Sequence, residues 1–534
     1  MPHDGGRVAV AGAVLHPLVA VVDPGAALAL HADDVEVHVD ARREQRVVRP
    51  PHVPPEVDVD THPPGVPAID GEREVGARRD EGDVRRGRVE LRPRAGAVPA
   101  GGLPHPVAPP VGTEAGVVQH TPLVVETREI DPVEDLLSFA DPARPLAWFR
   151  RGDGIVAVGE PVAELRPSAE EGRTRAETLA ALWQGLAAAA EVSDPLRLPG
   201  TGLVAFGAFT FDEDSRADSV LTIPSRILGR HGDRFWETRI RRSGDERAPG
   251  AVEPAEYGPH WAGTVGPGAQ SPQGYQDAVR SALARIADGE LSKVVLARDL
   301  QGTIPAGSDL RRLVRALATG YPDTWVFAVD GLIGASPETL VTVQDRTVTA
   351  RVLAGTIGRG ADADADTAAS AHLASSTKDL DEHQYAVQSV LASLRPYTRA
   401  LAASEQPFLL KLPNLFHLAT DVEGELENGR SALDLVRALH PTAAVAGTPT
   451  PTAIAAIREL EPFDRGRYAG PVGWVDADGN GEWAIALRCA QFTSTDDAIA
   501  VTAYAGAGIV AGSDPESELL ETRVKFRPLV DALA

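Results

Sequence analysis

The stretch "YAGAGIVAGSDPESELLETRVK", residues 504–525, decides how this chain is read. It begins inside an apolar run, "AIAVTAYAGAGIV" (498–510), that reads as a strand. A Gly-rich turn follows, with Ser513 and Asp514 as helix N-caps and Pro515 at the first helical position. The helix so opened sets Glu518, Glu521 and Lys525 three and four residues apart on one face. Taken alone, that pattern is a solvated face with a Glu521–Lys525 pair, worth roughly 0.2–0.5 kcal/mol. A strand, a glycine turn and an acid-bearing helix in succession are also how sites are built, so what matters is which other residues converge here. Gly506, Gly508 and Ala511 satisfy the dinucleotide spacing G-x-G-x-x-G/A. That motif also needs a following strand with an acid about 20 residues on. None is visible before Ala534, so no nicotinamide or flavin site is expected.

At 534 residues the chain exceeds one ordinary domain. Its formal net charge of -24 argues against a nucleic-acid partner, which would need a basic footprint. An anionic ligand would need local cations or a metal. The single cysteine, Cys489, excludes an internal disulfide framework and suits a reducing compartment, so a cytoplasmic location is expected. No uninterrupted apolar run is long enough to span a bilayer, and no membrane partner is expected. "VAVAGAVL" after Arg7 looks faintly like a signal peptide but is followed by His16-Pro17 and Asp23-Pro24.

Residues 1–118 hold no Phe, Tyr, Trp, Lys or Ser, and are rich in Pro, Arg, Val, Gly and His. They read as a disordered extension. A second reading is a start assigned too far upstream, the natural protein beginning near "VVETREIDPVEDLL". From about residue 119 the composition turns ordinary. The pattern predicts a two-stranded hairpin in "PLAWFRRGDGIVAVGE", a helix in "TRAETLAALWQGLAAAAEV" and a strand in "GTGLVAFGAFTFD". "VLTIPSRILGRHGDRFWETRIRR" reads as two strands about a turn, and residues 243–270 as a surface connection. Tyr275, Val279, Leu283 and Ile286 fall at helical spacing, with Gly289 as the stop. "GRGADADADTAAS" (358–370) reads as a loop. The three expected regions are residues 1–118, 119–260 and 261–534.

Several residues could carry chemistry, each beside a plain structural role. Lys293 opens "KVVLARDL", a strand apolar on both faces, where an ammonium must snorkel or become a depressed-pKa base. Glu338 follows Ser336-Pro337 in a turn, which a surface acid would also do. Gly355-Thr356 offers a backbone N–H and a hydroxyl suited to a carboxylate. Asp379, Glu382 and His383 open a helix, where acids are favoured by the helix dipole alone. His417 sits inside an apolar strand, more often a satisfied core histidine than a ligand. Arg488 is expected on the second strand of the hairpin about Asp478-Gly479-Asn480-Gly481, as a fork for a carboxylate.

In order along the chain, "SKVVLARD", "GASPETL", "LAGT", "DEHQYAV", "HLAT", "LHPTAAVAGTP", "YAGPVGW", "ALRCA" and the opening stretch resemble the chorismate-utilising enzyme family, and within it the isochorismate synthases. The resemblance runs from about residue 270 to 530, and residues 119–250 look like the more divergent N-terminal part of the same fold. It implies a large α+β unit: two packed, mostly antiparallel sheets with helices outside and the active site in the cleft between halves. It implies Mg2+ as cofactor, held by Glu382 and Glu521 with Asp379 and Glu518 in the outer sphere. Two direct carboxylates suit octahedral Mg2+, which keeps waters and substrate oxygens. It further implies that Lys525, Arg488, Tyr468, Gly506, Gly355 and Thr356 hold the carboxylates of chorismate and that His417 orients it. Lys293 would be the general base that activates water for attack at C2, and Glu338 the general acid on the departing C4 hydroxyl.

Related activities are separated by single positions. Aminodeoxychorismate synthases carry a nucleophilic lysine where this chain has Ala354, and salicylate and anthranilate synthases a threonine where it has Ala444. The expectation is therefore an isochorismate synthase, with salicylate synthase or an ammonia-using relative as alternatives. No glutaminase subunit is expected, and a monomer is. Isochorismate would feed either menaquinone or a siderophore.

Overall fold

The computed structural model describes residues 121–167, 173–245, 252–360, 362–411 and 415–534. The expectations for residues 1–118 lie outside the described residues, as does the side chain of Thr356. Two large sheets dominate, of 13 and 10 strands among the described residues. Among the described residues, all strand pairs are antiparallel except Leu123–Ile130 with Glu191–Ser193. The expected α+β class with two mostly antiparallel sheets is what is observed.

In the first sheet, Lys293–Pro305 lies between Thr264–Pro267 and Ala498–Ile509, and the order continues through Cys489–Ser494, Leu332–Ser336 and Trp325–Val329 to strands from the first half of the sequence. In the second, Thr347–Gly358 pairs with Leu415–Leu426 on one side and with Thr339–Gln344 on the other, and the order ends at Val204–Ala208, Val220–Pro224 and Pro161–Leu165. Stretches 121–245 and 252–534 thus both contribute strands to both sheets. Trp148, Phe206, Trp236 and Trp483 are almost fully buried in the core shared by the two sheets. A smaller apolar cluster joins Leu313, Val314 and Leu317 of the helix Arg311–Gly320 to Phe526, Leu529 and Leu533 of the helix Pro515–Leu533.

The chain passes from one sheet to the other through very short links, and two expectations change there. "VLTIPSRILGRHGDRFWETRIRR" forms three strands, because the chain changes sheets at Ser225 between Val220–Pro224 and Arg226–His231. Pro337 and Glu338 form a second link, between Leu332–Ser336 and Thr339–Gln344. Arg488 is not on a hairpin strand: it sits in the link between Gly481–Ile485 and Cys489–Ser494, in the left-handed region at φ 51°. Such a backbone is strained for a residue with a Cβ, and such strain gathers at functional sites.

Residues 363–375 form a helix rather than the expected loop. Asp362 caps it by accepting from the Ala365 N–H at 2.8 Å, and Asp364 and Asp366 in its first turn favour the dipole. Asp366 also takes two bonds from Arg359, at 2.7 and 2.6 Å, which fixes the entry to the helix. The closing helix Pro515–Leu533 forms as expected, capped by Asp514 accepting from Ser517 N–H at 2.9 Å with Pro515 at its first position. Gly506 and Gly508 lie inside the strand Ala498–Ile509 and not in a strand-to-helix turn, which removes the geometry of a dinucleotide fingerprint.

Candidate active site

Several strands, two sheet-to-sheet links and two helices carry the sequence candidates. Lys293 begins its strand beside Gly447–Thr448, with Thr448 as its register partner. Its strand is anchored from beneath by Arg465 and Glu461, a fully buried pair at 2.6 Å. Glu461 accepts from the Ala297 N–H at 2.7 Å, while Arg465 donates to the carbonyls of Val295 and Val445 at 2.7 and 3.0 Å. The same strut therefore reaches the turn after Thr442, where Ala444 stands exposed.

Glu338 is held at its sheet-to-sheet link by main-chain bonds: its N–H donates to Ser336 Oγ at 3.2 Å, and its carbonyl accepts from Ile485 at 3.1 Å. Among the described residues, neither its carboxyl nor the Lys293 ammonium has a hydrogen-bond partner within 3.5 Å or an ion-pair partner within 4.0 Å. Burial pushes Lys293 below the usual lysine range, against the pull of the Glu338 and Glu382 carboxylates. Burial pushes Glu338 above the usual carboxylate range, against Lys293, Lys525 and Arg488. The Arg488 guanidinium is likewise desolvated, and it feels Tyr468, Glu521 and Glu338. Tyr468 is held in place by stacking on Tyr504, with ring centroids 5.1 Å apart at 16°.

Gly355 is the extra residue of a bulge, since Ala354 pairs with Leu418 while Thr356 pairs with His417. Its φ of 77° and the closeness of Leu418 and Asp379 explain the glycine: a Cβ would stand 3.0 Å from Leu418 Cδ1 and 3.4 Å from Asp379 Cβ. Burial holds His417 below the usual histidine range; its ring is hydrogen-bonded to the Gly355 backbone and feels Lys525, Glu521 and Lys293. The closing helix supplies Lys525, which bonds Glu521 Oε1 at 2.6 Å and the Gly506 carbonyl at 2.8 Å. It is fastened to the Lys293 strand by Arg298 Nε donating to the buried Thr522 hydroxyl at 2.7 Å.

The carboxylates expected at a metal lie on two helices that pack on different sheets, Thr377–Leu394 and Pro515–Leu533. Glu382 and Glu521 are exposed, Asp379 and Glu518 half-buried. Burial and the neighbouring Glu521 charge push the Glu518 carboxyl up, although Ser513 hydrogen-bonds it. Among the described residues no three His, Cys, Asp or Glu side chains close a metal cage. An all-oxygen donor set of this kind fits a hard ion that takes one or two carboxylates, and fits zinc or iron poorly.

Sequence reading missed Gly508. A Cβ there would stand 3.1 Å from Lys293 Cε and 3.8 Å from Nζ, so the glycine makes room for the lysine tip. Two glycines at i and i+2 on one face of a strand were the available sign of close approach.

An amine biased by burial toward its neutral form and a carboxyl biased toward its protonated form, ringed by guanidinium, ammonium and carboxylate groups, are what acid–base chemistry on a small anionic substrate needs. The family model described as chorismate binding enzyme matches residues 257–534. Isochorismate synthase DhbC of Bacillus subtilis is 36% identical over 402 residues, covering 73% of this chain and 94% of that protein. The salicylate biosynthesis isochorismate synthase of Pseudomonas aeruginosa is 31% identical over 453 residues, covering 79% and 92%. The structure of DhbC from Bacillus anthracis superposes with a TM-score of 0.58 at 32% identity, covering 74% of this chain and 98% of that one. The chain belongs to the chorismate-binding enzyme family.

Proposed function

We propose that the protein is a Mg2+-dependent isochorismate synthase, converting chorismate reversibly to isochorismate. The observation that carries this reading is the unpartnered pair Lys293 and Glu338, biased by burial in opposite senses. Neutral Lys293 takes a proton from a water as that water's oxygen bonds to C2 of the ring. The ring double bonds shift, the C4–oxygen bond breaks, and protonated Glu338 gives its proton to the leaving hydroxyl, which departs as water. One water enters and one leaves, with no redox partner. Arg488, Lys525, Tyr468 and the backbone at Gly355, Thr356 and Gly506 bind the substrate carboxylates, and His417 orients the ring. Glu382 and Glu521 would hold Mg2+, with Asp379 and Glu518 behind them; bound there, the ion supplies charge neutralisation for a substrate carboxylate. The cytoplasm is the proposed location and a monomer the working form.

The test is incubation of the full chain with chorismate and Mg2+, without ammonia, followed by chromatography. Isochorismate is the expected product. Salicylate with pyruvate, or an amino product once ammonia is added, would overturn the assignment.

The two strand glycines give a sharper check. Gly508→Ala crowds only the flexible end of Lys293, so turnover falls roughly ten- to hundredfold while the melting temperature barely moves. Gly506→Ala instead meets the Leu296 carbonyl at 2.6 Å, a backbone clash, and lowers the melting temperature. Kinetics and thermal melts of the two variants, side by side, decide whether Gly508 serves the lysine.

A further inference from the structure

We infer that His383 is a positioning residue that fastens the carboxylate-bearing helix to the Gly355 bulge, so that the metal face and the substrate-carboxylate cradle form as one unit. The inference rests on the reading just given. His383 follows Glu382 in the helix Thr377–Leu394 but points the other way, into the protein, and is 2% exposed. Its Nδ1 lies 3.1 Å from the Ala354 carbonyl oxygen and its Nε2 lies 2.7 Å from Thr420 Oγ1. A carbonyl oxygen only accepts, so Nδ1 carries a hydrogen; in the neutral ring Nε2 then accepts from the Thr420 hydroxyl.

The two partners are what give the contact meaning. Ala354 immediately precedes the bulged Gly355, so the bond fixes the peptide from which the cradle turns. Thr420 is 1% exposed and lies three residues after His417 on the partner strand, so the second bond ties the same ring to the strand that carries the substrate-orienting histidine. A third contact closes the arrangement, because Asp379, one helical turn before Glu382 and His383, packs against Gly355. An apolar side chain at position 383 would fill the space but leave the Ala354 carbonyl and the Thr420 hydroxyl unpaired in the interior.

The experiment compares His383→Ala, His383→Asn and Thr420→Val with the wild type in the full chain, by steady-state kinetics and hydrogen exchange. In His383→Ala the KM for chorismate and the half-saturating Mg2+ concentration are expected to rise together, about three- to tenfold each, with kcat within about threefold. His383→Asn, which still offers an N–H toward Ala354, recovers part of both constants. Thr420→Val, which leaves the imidazole in place, shows the smaller rise. Exchange quickens in residues 353–358 and in the first two turns of the helix together. If only one of the two constants moves, if kcat alone falls, or if exchange quickens in the helix and not at the bulge, the inference is overturned. Should the wild type leave chorismate unchanged, the functional reading fails by itself. The paired or unpaired exchange of the two segments then still decides the clamp.

Discussion

Lys293→Ala is expected to lower chorismate turnover by roughly 10²–10⁴-fold, the range spanned by a single general base. The melting temperature is expected to hold or rise slightly. The reason for the second outcome is that the ammonium has no ion-pair or hydrogen-bond partner among the described residues, so its removal breaks nothing and relieves a desolvated charge. A purely structural lysine would give the reverse, a loss of stability with little kinetic effect. The pH profile carries the same logic. Lys293 must be neutral to act, so turnover rises as pH climbs through its depressed value. Glu338 must stay protonated, so turnover falls as pH climbs through its raised value. The two limbs belong to the coupled pair. Glu338→Gln removes the group whose ionisation makes the falling limb, and the residual activity then only rises with pH. Turnover within tenfold of wild type in Lys293→Ala, or an unchanged bell in Glu338→Gln, would rule out these roles.

The second large effect concerns the metal. Chelation by EDTA is expected to cost on the order of 10³-fold in turnover, from the several kcal/mol that a divalent ion contributes to charge stabilisation. Added Mg2+ restores the wild type. Glu521→Gln loses activity to a similar extent, and no excess of Mg2+ restores it fully. Glu521 is also the partner of Lys525, at 2.6 Å, so a cation drawn to that carboxylate competes with the lysine for it. On the proposed reading, Lys525 would then be available to a substrate carboxylate while keeping its bond to the Gly506 carbonyl at 2.8 Å. Full turnover after exhaustive chelation would remove the metal from the mechanism.

How much of this was legible beforehand depends on the length scale of each signal. The closing helix was readable because its cap, its N1 proline and its i,i+4 pair are all local. The Lys293 strand was readable because both of its faces are apolar, as its burial bears out. The helix at 363–375 was missed because its alternating Asp and Ala mimic a biased loop, while the Arg359–Asp366 bonds that stabilise it are a matter of folded geometry. Three strands were read as two at 220–242 because the change of sheet takes a single residue, Ser225, between two strands that otherwise run on as one extended stretch. Arg488 was found as a residue and misplaced as an element for the same reason. At the candidate site, the charged residues proposed for chemistry could be picked out by type and motif. Their supports could not: the Arg465–Glu461 strut spans from residue 295 to 465, and the His383 contacts span 29 and 37 residues.

The pairing of the Lys293 strand also bears on how the protein reaches its native state. That strand aligns with Ala498–Ile509 from Val294 opposite Ile509 to Pro305 opposite Ala498, partners about 200 residues apart in sequence. Chain closure over such a span is entropically slow, and non-local sheets fold late. Until the later strand arrives, the earlier one presents an apolar edge of unpaired amides, a template for association with other chains. Dilution, low temperature and chaperone assistance during refolding should therefore decide the yield of active enzyme more than any change in the residues of the cleft.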